Sequence, residues 1–265
     1  MGMRILQPPI TKEYDLLFKP LNHNLATVSI YMGLSKVPVF IGSDKTWLVT
    51  RVNHRILVSG NYMASEAVKT IQRVVDEGVK AGRSGFVLYY PLNAEKVEIG
   101  EHIKGVNPYP NWRNYYRLEL EKPGYHVDIP ENYKVEQITW DLLEKDYENT
   151  DLVMEEMLSE RLSLDASMEK SFGFCSVQGD IITSWCMSEY NVNKEFEVGI
   201  ETHKDHRRKG LAVQTARACF HHGVKNGYKF VGWHCWKNND ASNKTAIKLG
   251  FKYVLEYPVE YLKAM

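Results

Sequence analysis

The stretch EFEVGIETHKDHRRKGLA, residues 195–212, decides the fold. Its first eight residues, Glu195–Thr202, alternate in character as a strand with one buried face does. A polar loop then leads to Gly210, and the apolar spacing beyond it predicts a helix that ends near Gly227. The first N–H groups of a helix lack intrahelical partners and attract anions, and glycine lets an anion approach the backbone. The segment therefore predicts a strand, a basic loop and a helix start that holds a phosphate.

Strands and helices alternate on both sides of this segment. Residues 133–202 predict a strand, an acidic helical region and an antiparallel meander, and the chain beyond Gly227 predicts strand, helix and strand. Upstream, several strands surround a helix at Ser65–Gly82, and residues 107–111 predict a loop. The fold class is therefore α/β (α+β), with a mixed sheet flanked by helices in the C-terminal half.

Proline and glycine near residue 125, at Pro123, Gly124 and Pro130, mark a domain boundary. We predict a smaller N-terminal α/β domain, 1–125, and a C-terminal domain, 126–265. The N-terminal domain has no chemical motif, and its pattern is compatible with a degenerate copy of the C-terminal domain.

The composition excludes several classes of protein. The 265 residues have a formal net charge of zero and 44% hydrophobic residues, which is typical of globular proteins and not of nucleic-acid binders. No stretch is apolar enough for a membrane span, so we expect neither nucleic-acid nor membrane partners. The cysteines lie in apolar stretches without a C-x-x-C pair, which predicts reduced thiols and a cytoplasmic location. The histidines at 203 and 206 lie in a polar loop, and we expect no metal.

Charge is segregated along the C-terminal half. Residues 131–200 carry a net charge of −11, and residues 201–265 carry +7. The contrast favours a site that handles an anion on one side and a cation on the other, or simply two solvated faces of opposite sign.

A second element lies at residues 239–251, NDASNKTAIKLGF. The R-x-x-G-x-A spacing at Arg207–Ala212 and the N-x-x-S spacing at Asn239–Ser242 together resemble the acetyl-CoA signature of the GNAT superfamily of N-acyltransferases. The resemblance covers residues 130–260, about half the chain, and the order of the predicted elements agrees with it. The tryptophan-rich strand at 232–236 also resembles a bacterial branch that includes antibiotic self-resistance acetyltransferases.

The resemblance implies an N-acetyltransferase that moves the acetyl group of acetyl-CoA to a primary amine by direct attack. It places the diphosphate on the backbone amides at the helix start, the pantetheine arm along the preceding strand end, and Asn239 near the thioester. The cofactor-binding residues that it implies are Ile200, Glu201, Thr202, Arg207, Arg208, Lys209, Gly210, Leu211, Ala212, Asn239 and Ser242.

An amine nucleophile must lose a proton, so a base is needed. Strand alternation places Glu195, Glu197, Gly199 and Glu201 on one face, opposite the core face. Glu197 and Glu201 are the catalytic candidates, as the base or its relay. The alternative is that these carboxylates are salt-bridged or solvated where the sheet splays, and a bulge would change which of them faces the cleft.

One position departs from the family pattern. Many members carry a general-acid tyrosine four residues after the serine of the second element, and here that residue is Ala246. The proton for the leaving thiolate would then come from water, from Ser242, or from Tyr253 or Tyr257, unless no acid is needed. The loss also favours an alternative function, a non-catalytic acyl-CoA-binding sensor or interaction module.

The acceptor is specified only by charge. The acidic helical region, with Glu155, Glu156 and Glu160, favours a cationic acceptor if it borders the cleft. We expect an amine-bearing small molecule or peptide, and a homodimer stays an open option.

Overall fold

The computed structural model describes residues 3–94, 98–120 and 125–265. The strands are β1 (Met3–Leu6), β2 (Val39–Gly42), β3 (Trp47–Val52), β4 (Arg55–Gly60), β5 (Gly85–Tyr89), β6 (Val106–Glu119), β7 (Lys134–Gln137), β8 (Gly173–Gln178), β9 (Ile181–Val192), β10 (Glu195–Thr202), β11 (Phe230–Trp236) and β12 (Lys252–Ala264). The α-helices are α1 (Asp15–Phe18), α2 (Leu25–Tyr31), α3 (Ser65–Lys80), α4 (Trp140–Leu143), α5 (Thr150–Glu160), α6 (Leu164–Lys170), α7 (Leu211–Lys225) and α8 (Asp240–Lys248). Short 3-10 helices lie at Lys12–Tyr14, Lys19–Leu21, Ile99–His102 and Lys204–His206.

The chain forms two compact units, and the first comprises Met1–Asn114, Trp236–Asn238 and Leu255–Met265. Its strands follow the order β1-β2-β3-β4-β5-β12. Neighbouring strands are antiparallel except β4 and β5, which run parallel and are connected by α3. The buried stripe of α3, which includes Ile71 and Val74, packs in the hydrophobic core of this unit.

The second unit comprises Tyr115–Cys235 and Asn239–Val254. Its strands follow the order β6-β11-β10-β9-β8-β7. The neighbouring strands β10 and β11 are parallel, and the helix α7 connects the end of β10 to the start of β11. The meander β8-β9-β10 is antiparallel, as predicted. The strand–helix–strand arrangement of β10, α7 and β11 is the same as that of β4, α3 and β5 in the first unit.

The sheet of the second unit separates two hydrophobic cores. Phe196 and Val198 of β10 pack against α7 in one core. Trp185 and Met187 of β9 pack against α5 in the other. The carboxylate-bearing side of β10 is the side that faces away from α7, in agreement with the alternation in the sequence.

The predicted loop at 107–111 is wrong, because these residues belong to the strand β6. Pro108 and Pro110 are two residues apart, so the N–H groups that they lack would all have pointed to the same edge of the strand. The N–H groups of the residues between them remain available on the other edge. Proline on alternate residues therefore does not end a strand.

The predicted boundary near residue 125 stays a prediction, because Pro123 and Gly124 lie outside the described residues. The C-terminal segment Leu255–Met265 is grouped with the first unit, since Val259–Lys263 of β12 pairs antiparallel with β5. This pairing joins residues far apart in the sequence, and no local pattern predicts it.

Candidate functional site

A cleft opens in the second unit where two parallel strands separate. The register between β10 and β11 ends at Val198 and Trp233, although β10 continues to Thr202. Beyond this pair, the edge of β10 that faced β11 is left without its strand partner in the described structure. The cleft beside this edge has a volume of about 480 Å³. It is lined by all of the predicted cofactor-binding residues except Lys209, namely Ile200, Glu201, Thr202, Arg207, Arg208, Gly210, Leu211, Ala212, Asn239 and Ser242.

The N-terminus of α7 forms one end of the cleft. Gly210 is its N-cap residue and has a φ of +79°, in the left-handed region that favours glycine. No side chain caps this end of the helix. The N–H groups of Val213 and Gln214 donate to the Gly210 carbonyl oxygen, whereas those of Leu211 and Ala212 precede the first intrahelical hydrogen bond and have no partner within the helix. A Cβ at Gly210 would meet no atom within 4 Å, so the space in front of these N–H groups is open. The helix end thus presents unpaired donors and the positive end of a helix dipole to the cleft.

Arg207 is held against the end of β10. Its Nε donates to the Thr202 carbonyl oxygen at 3.0 Å, and its guanidinium lies 3.1 Å from Glu201 Oε1. Both charged side chains are at least half exposed, so the pair adds little to stability and its charges remain accessible from the cleft.

Lys209 points elsewhere. Its Nζ donates to the Tyr133 hydroxyl at 2.9 Å and does not line the cleft. The same hydroxyl lies 3.1 Å from His206 Nδ1, and burial together with the nearby Lys209 charge lowers the pKa of His206. Lys209 therefore contributes charge near the helix start without reaching the cleft wall.

The start of α8 forms another wall of the cleft. Asn239 caps this helix by accepting the Ser242 N–H at 3.1 Å, which explains why an asparagine precedes the serine by three residues. The Ser242 hydroxyl oxygen accepts the indole N–H of Trp233 at 3.0 Å. Because its side-chain oxygen is used for capping, Asn239 can offer its amide N–H groups to a ligand.

Ala246 is fully buried in the core beside α7 and does not reach the cleft. Of the tyrosines considered as replacement acids, Tyr253 is exposed and contacts the Tyr116 ring, and Tyr257 is fully buried in the first unit. Neither lines the cleft, whereas Ser242 does.

Glu197 and Glu201 occupy different environments. Glu201 lines the cleft beside Arg207, but Glu197 is buried and its Oε1 lies 3.1 Å from Nε2 of His234, which is also buried. The His234 ring stacks on Tyr115 with a centroid distance of 4.4 Å. Among the described residues, Glu197 is thus paired with a buried histidine and does not line the cleft.

The stacked pair continues into a polar network that the sequence did not predict. The Tyr115 hydroxyl donates to Glu195 Oε1 at 3.3 Å. Arg117 donates two hydrogen bonds to the same carboxylate, from Nε to Oε1 at 2.9 Å and from Nη2 to Oε2 at 3.0 Å. Burial and the carboxylates Glu195 and Glu197 raise the pKa of Tyr115, so it stays protonated at neutral pH. The alternation of polar residues in β6 was the only signal for this cluster.

Two carboxylates lie beside Gly199 on the face opposite α7. A Cβ at Gly199 would come within 2.5 Å of Glu189 Oε1 and 2.8 Å of Glu156 Oε1. The glycine thus lets these two side chains approach the strand just past the point where β10 and β11 separate. Glu156 belongs to the predicted acidic helical region, whereas Glu189 on β9 was missed because alternation within one strand does not show which residues lie across from it.

The register of β9 and β10 shifts by one residue beside Glu197. Phe196 pairs with Asn191 and Val198 pairs with Ser188, so Glu189 and Tyr190 together stand opposite Glu197. Such a bulge bends the strand and redirects side chains. A bulge was an alternative in the interpretation of the sequence, and the structure has one in the pairing of β9 with β10.

Other features of the described residues limit the chemistry. Nowhere in 3–94, 98–120 and 125–265 do three or more His, Cys, Asp or Glu side chains come together as metal ligands would. None of the helices in this part of the chain has the length and apolar character needed to cross a bilayer. All four cysteines are free and buried, and burial raises the pKa of Cys175 to about 12.

The separated parallel strands and the uncapped helix start form a cleft suited to an anionic ligand, and comparison with known proteins identifies the family. The sequence model of the GNAT acetyltransferase family matches residues 94–260. The chain therefore belongs to the GNAT acetyltransferase family. Its mixed α/β fold and the resemblance seen in the sequence are confirmed.

The relatives agree with this assignment. The uncharacterized N-acetyltransferase YdfB of Bacillus subtilis is 33% identical over 99 residues, a match that spans 37% of this chain and 38% of YdfB. A GCN5-related N-acetyltransferase-like protein from Streptococcus suis is 16% identical, with a TM-score of 0.64 over 86% of this chain and 89% of that one. A tandem GNAT protein from the clavulanic acid biosynthesis pathway is 9% identical, with a TM-score of 0.57 over 100% of this chain and 99% of that one. At these identities the structures bear on the fold alone.

Proposed function

We propose that this protein is an N-acetyltransferase that moves the acetyl group of acetyl-CoA to a primary amine of a small molecule or peptide. The observation that carries the proposal is the uncapped start of α7, where Leu211 and Ala212, whose N–H groups precede the first intrahelical hydrogen bond, line an open cleft beside the free edge of β10. Membership of the GNAT acetyltransferase family supports acyl transfer in general. The identity of the donor and acceptor is our inference from the chemistry of the cleft.

The residues present fit coenzyme A. The open space at Gly210 lets a diphosphate reach the N–H groups of Leu211 and Ala212, and Arg207 and Arg208 add positive charge beside it. The free edge of β10 offers backbone N–H and C=O groups to the amides of the pantetheine arm. The amide of Asn239 adds a donor at the opposite wall.

The same strand edge supports the chemical step. A thioester carbonyl placed near Ile200 would find a backbone N–H that β11 does not use, and such a donor stabilises the negative charge that develops on the oxygen. The chain has no covalent role in this scheme. Its contribution is to position the two substrates and to polarise the carbonyl group.

The base is proposed among the carboxylates on the face opposite α7. The predicted candidates, Glu197 through His234 and Glu201 directly, remain in this set, and Glu189 and Glu156 join it. Glu189 is our first choice, because its carboxylate lies against Gly199, whereas Glu201 is paired with Arg207. Carboxylates at this place also favour an acceptor that arrives as an ammonium cation.

Binding and turnover test the proposal separately. Calorimetry should detect acetyl-CoA and CoA binding to the intact protein, and release of free thiol should depend on an added amine from a panel of polyamines, aminoglycosides and peptides. Tight binding without thiol release from any amine would favour the second candidate, a non-catalytic acyl-CoA-binding sensor. The burial of Ala246 at the usual position of the acid is the observation that favours this second candidate.

The remaining expectations stay predictions. A cytoplasmic location is supported by the buried free cysteines. The resemblance to antibiotic self-resistance enzymes and a homodimeric assembly rest on the sequence pattern alone.

A further inference from the structure

The hydroxyl group of Ser242 is an oriented donor in the wall of the cleft. Its oxygen accepts the Trp233 indole N–H at 3.0 Å, and its backbone N–H is taken by Asn239. In the part of the chain that the structure describes, no carbonyl or carboxylate oxygen accepts the hydroxyl proton of Ser242. A serine oxygen that already accepts one bond directs its proton elsewhere, and here the free direction is the cleft that Ser242 lines.

Trp233 fixes where this hydroxyl lies. It is the partner of Val198 in the last pair before β10 and β11 separate, and its side chain is fully buried against Phe251. The Ser242 hydroxyl is therefore tied to the end of the cleft at which the strands part. From Val198, β10 continues for four residues to Thr202, which is about 13 Å along a strand. The loop after Thr202 leads to the start of α7. An arm that leaves a diphosphate at α7 and follows β10 brings its far end toward Ser242.

From this geometry we infer that Ser242, positioned by Trp233, donates a hydrogen bond to the sulfur atom of CoA as the acyl group leaves. The inference rests on the proposed function. The carboxylate base first takes one proton from the ammonium group and passes it to water. The nitrogen lone pair of the neutral amine then forms the new C–N bond, the electron pair of the C–S bond goes to sulfur, and the second nitrogen proton goes to the same carboxylate. Ser242 keeps its own proton, and water later protonates the thiolate.

The relative acidities of the groups decide that Ser242 is a hydrogen-bond donor and not a general acid. A thiol has a pKa of about 8.5, so a thiolate leaves readily near neutral pH, whereas a serine hydroxyl is a far weaker acid. A hydrogen bond to the charged sulfur is nevertheless stronger than one to the neutral thiol. The donor therefore lowers the pKa of the bound thiol, and no tyrosine is required at the position of Ala246.

The thiol pKa of bound CoA is the direct test. The intact protein is saturated with CoA, and the ultraviolet absorbance of the thiolate is measured as a function of pH. The same titration with desulfo-CoA, which has no thiol, gives the contribution of the protein's own ionisable groups, and this is subtracted. We expect a bound-thiol pKa about one pH unit below that of free CoA in the unmodified protein. In Ser242→Ala the value should return toward that of free CoA, and in Ser242→Thr, which keeps the hydroxyl, it should stay low.

Two further variants separate position from chemistry. Thr245 lies one turn further along α8, and its hydroxyl already donates to the Ala241 carbonyl oxygen, so Thr245→Val should leave the thiol pKa unchanged. Trp233→Phe keeps an aromatic ring but removes the indole N–H that positions Ser242. It should raise the pKa of the bound CoA thiol part of the way toward that of free CoA. An identical thiol pKa in Ser242→Ala and the unmodified protein, with CoA bound in both, would overturn the role of Ser242. Failure of the unmodified protein to bind CoA would instead overturn the proposed function, and the role of Ser242 with it.

Discussion

Replacement of Gly210 by valine tests the central feature of the site, the open helix start. The glycine has a φ of +79°, and an added Cβ would meet no protein atom within 4 Å. The side chain would therefore cause no clash in the protein and would stand in the space assigned to the diphosphate. Its cost to stability is the backbone strain alone, about 1–2 kcal/mol for a residue with a Cβ in the left-handed region.

The expected loss of CoA affinity is larger. A charge-assisted hydrogen bond is worth about 1.5–3 kcal/mol, and displacement of the diphosphate breaks at least the two bonds from Leu211 and Ala212. The sum of about 3–6 kcal/mol corresponds to a rise in Kd of roughly two to four powers of ten. Calorimetry with CoA measures this rise, and thermal unfolding of the same samples measures the cost to stability.

Gly227 provides a matched control at the other end of α7. It has a φ of +80°, and a Cβ there would also meet nothing within 4 Å. Gly227→Val should cost similar stability and leave the CoA Kd unchanged. If Gly210→Val binds CoA as tightly as Gly227→Val, the diphosphate is not held at the start of α7 and the assignment of the cleft is wrong.

Four other substitutions probe the remaining parts of the molecule. Glu189→Gln should lower kcat by about 10²-fold and remove the acidic limb of the pH–rate profile. If Glu201→Gln lowers kcat more than Glu189→Gln does, our choice of base is wrong. Gly199→Ala should lower kcat/KM by on the order of tenfold with the fold intact, since its Cβ would push away two flexible carboxylates; unaltered kinetics would contradict their role. In the first unit, burial raises the pKa of Glu260, although the Tyr90 hydroxyl and the Gly100 N–H both donate hydrogen bonds to its carboxylate. The native state therefore binds more protons than the unfolded state. As a result, the free energy of unfolding falls as the pH rises from the ordinary carboxyl pKa to the raised one. Glu260→Gln should reduce this fall in urea titrations at several pH values, and an unchanged slope would exclude Glu260 as its source.

The start of α7 and the cleft residues beside it were predictable from sequence because their determinants are local. A helix start needs only consecutive residues, and the R-x-x-G-x-A and N-x-x-S spacings are short segments that each lead into the first turn of a helix. The alternation along Glu195–Thr202 likewise predicted which side of β10 is core. These features predicted the fold class and the family, and all of the residues that they assigned to the cofactor except Lys209 line the cleft.

The arrangement of the carboxylates around β10 depends on distances between strands, which no local pattern contains. Sequence alone did not show that the register of β10 and β11 ends at Val198, that the Glu189 carboxylate lies against Gly199, or that Glu197 is buried against His234. The indole bond that orients Ser242 joins a strand and a helix in the same way. Local sequence thus determined the helix start that attracts an anion, because the donors belong to consecutive residues. Tertiary structure decided which carboxylates and hydroxyls meet at the strand separation, because their positions depend on register and packing.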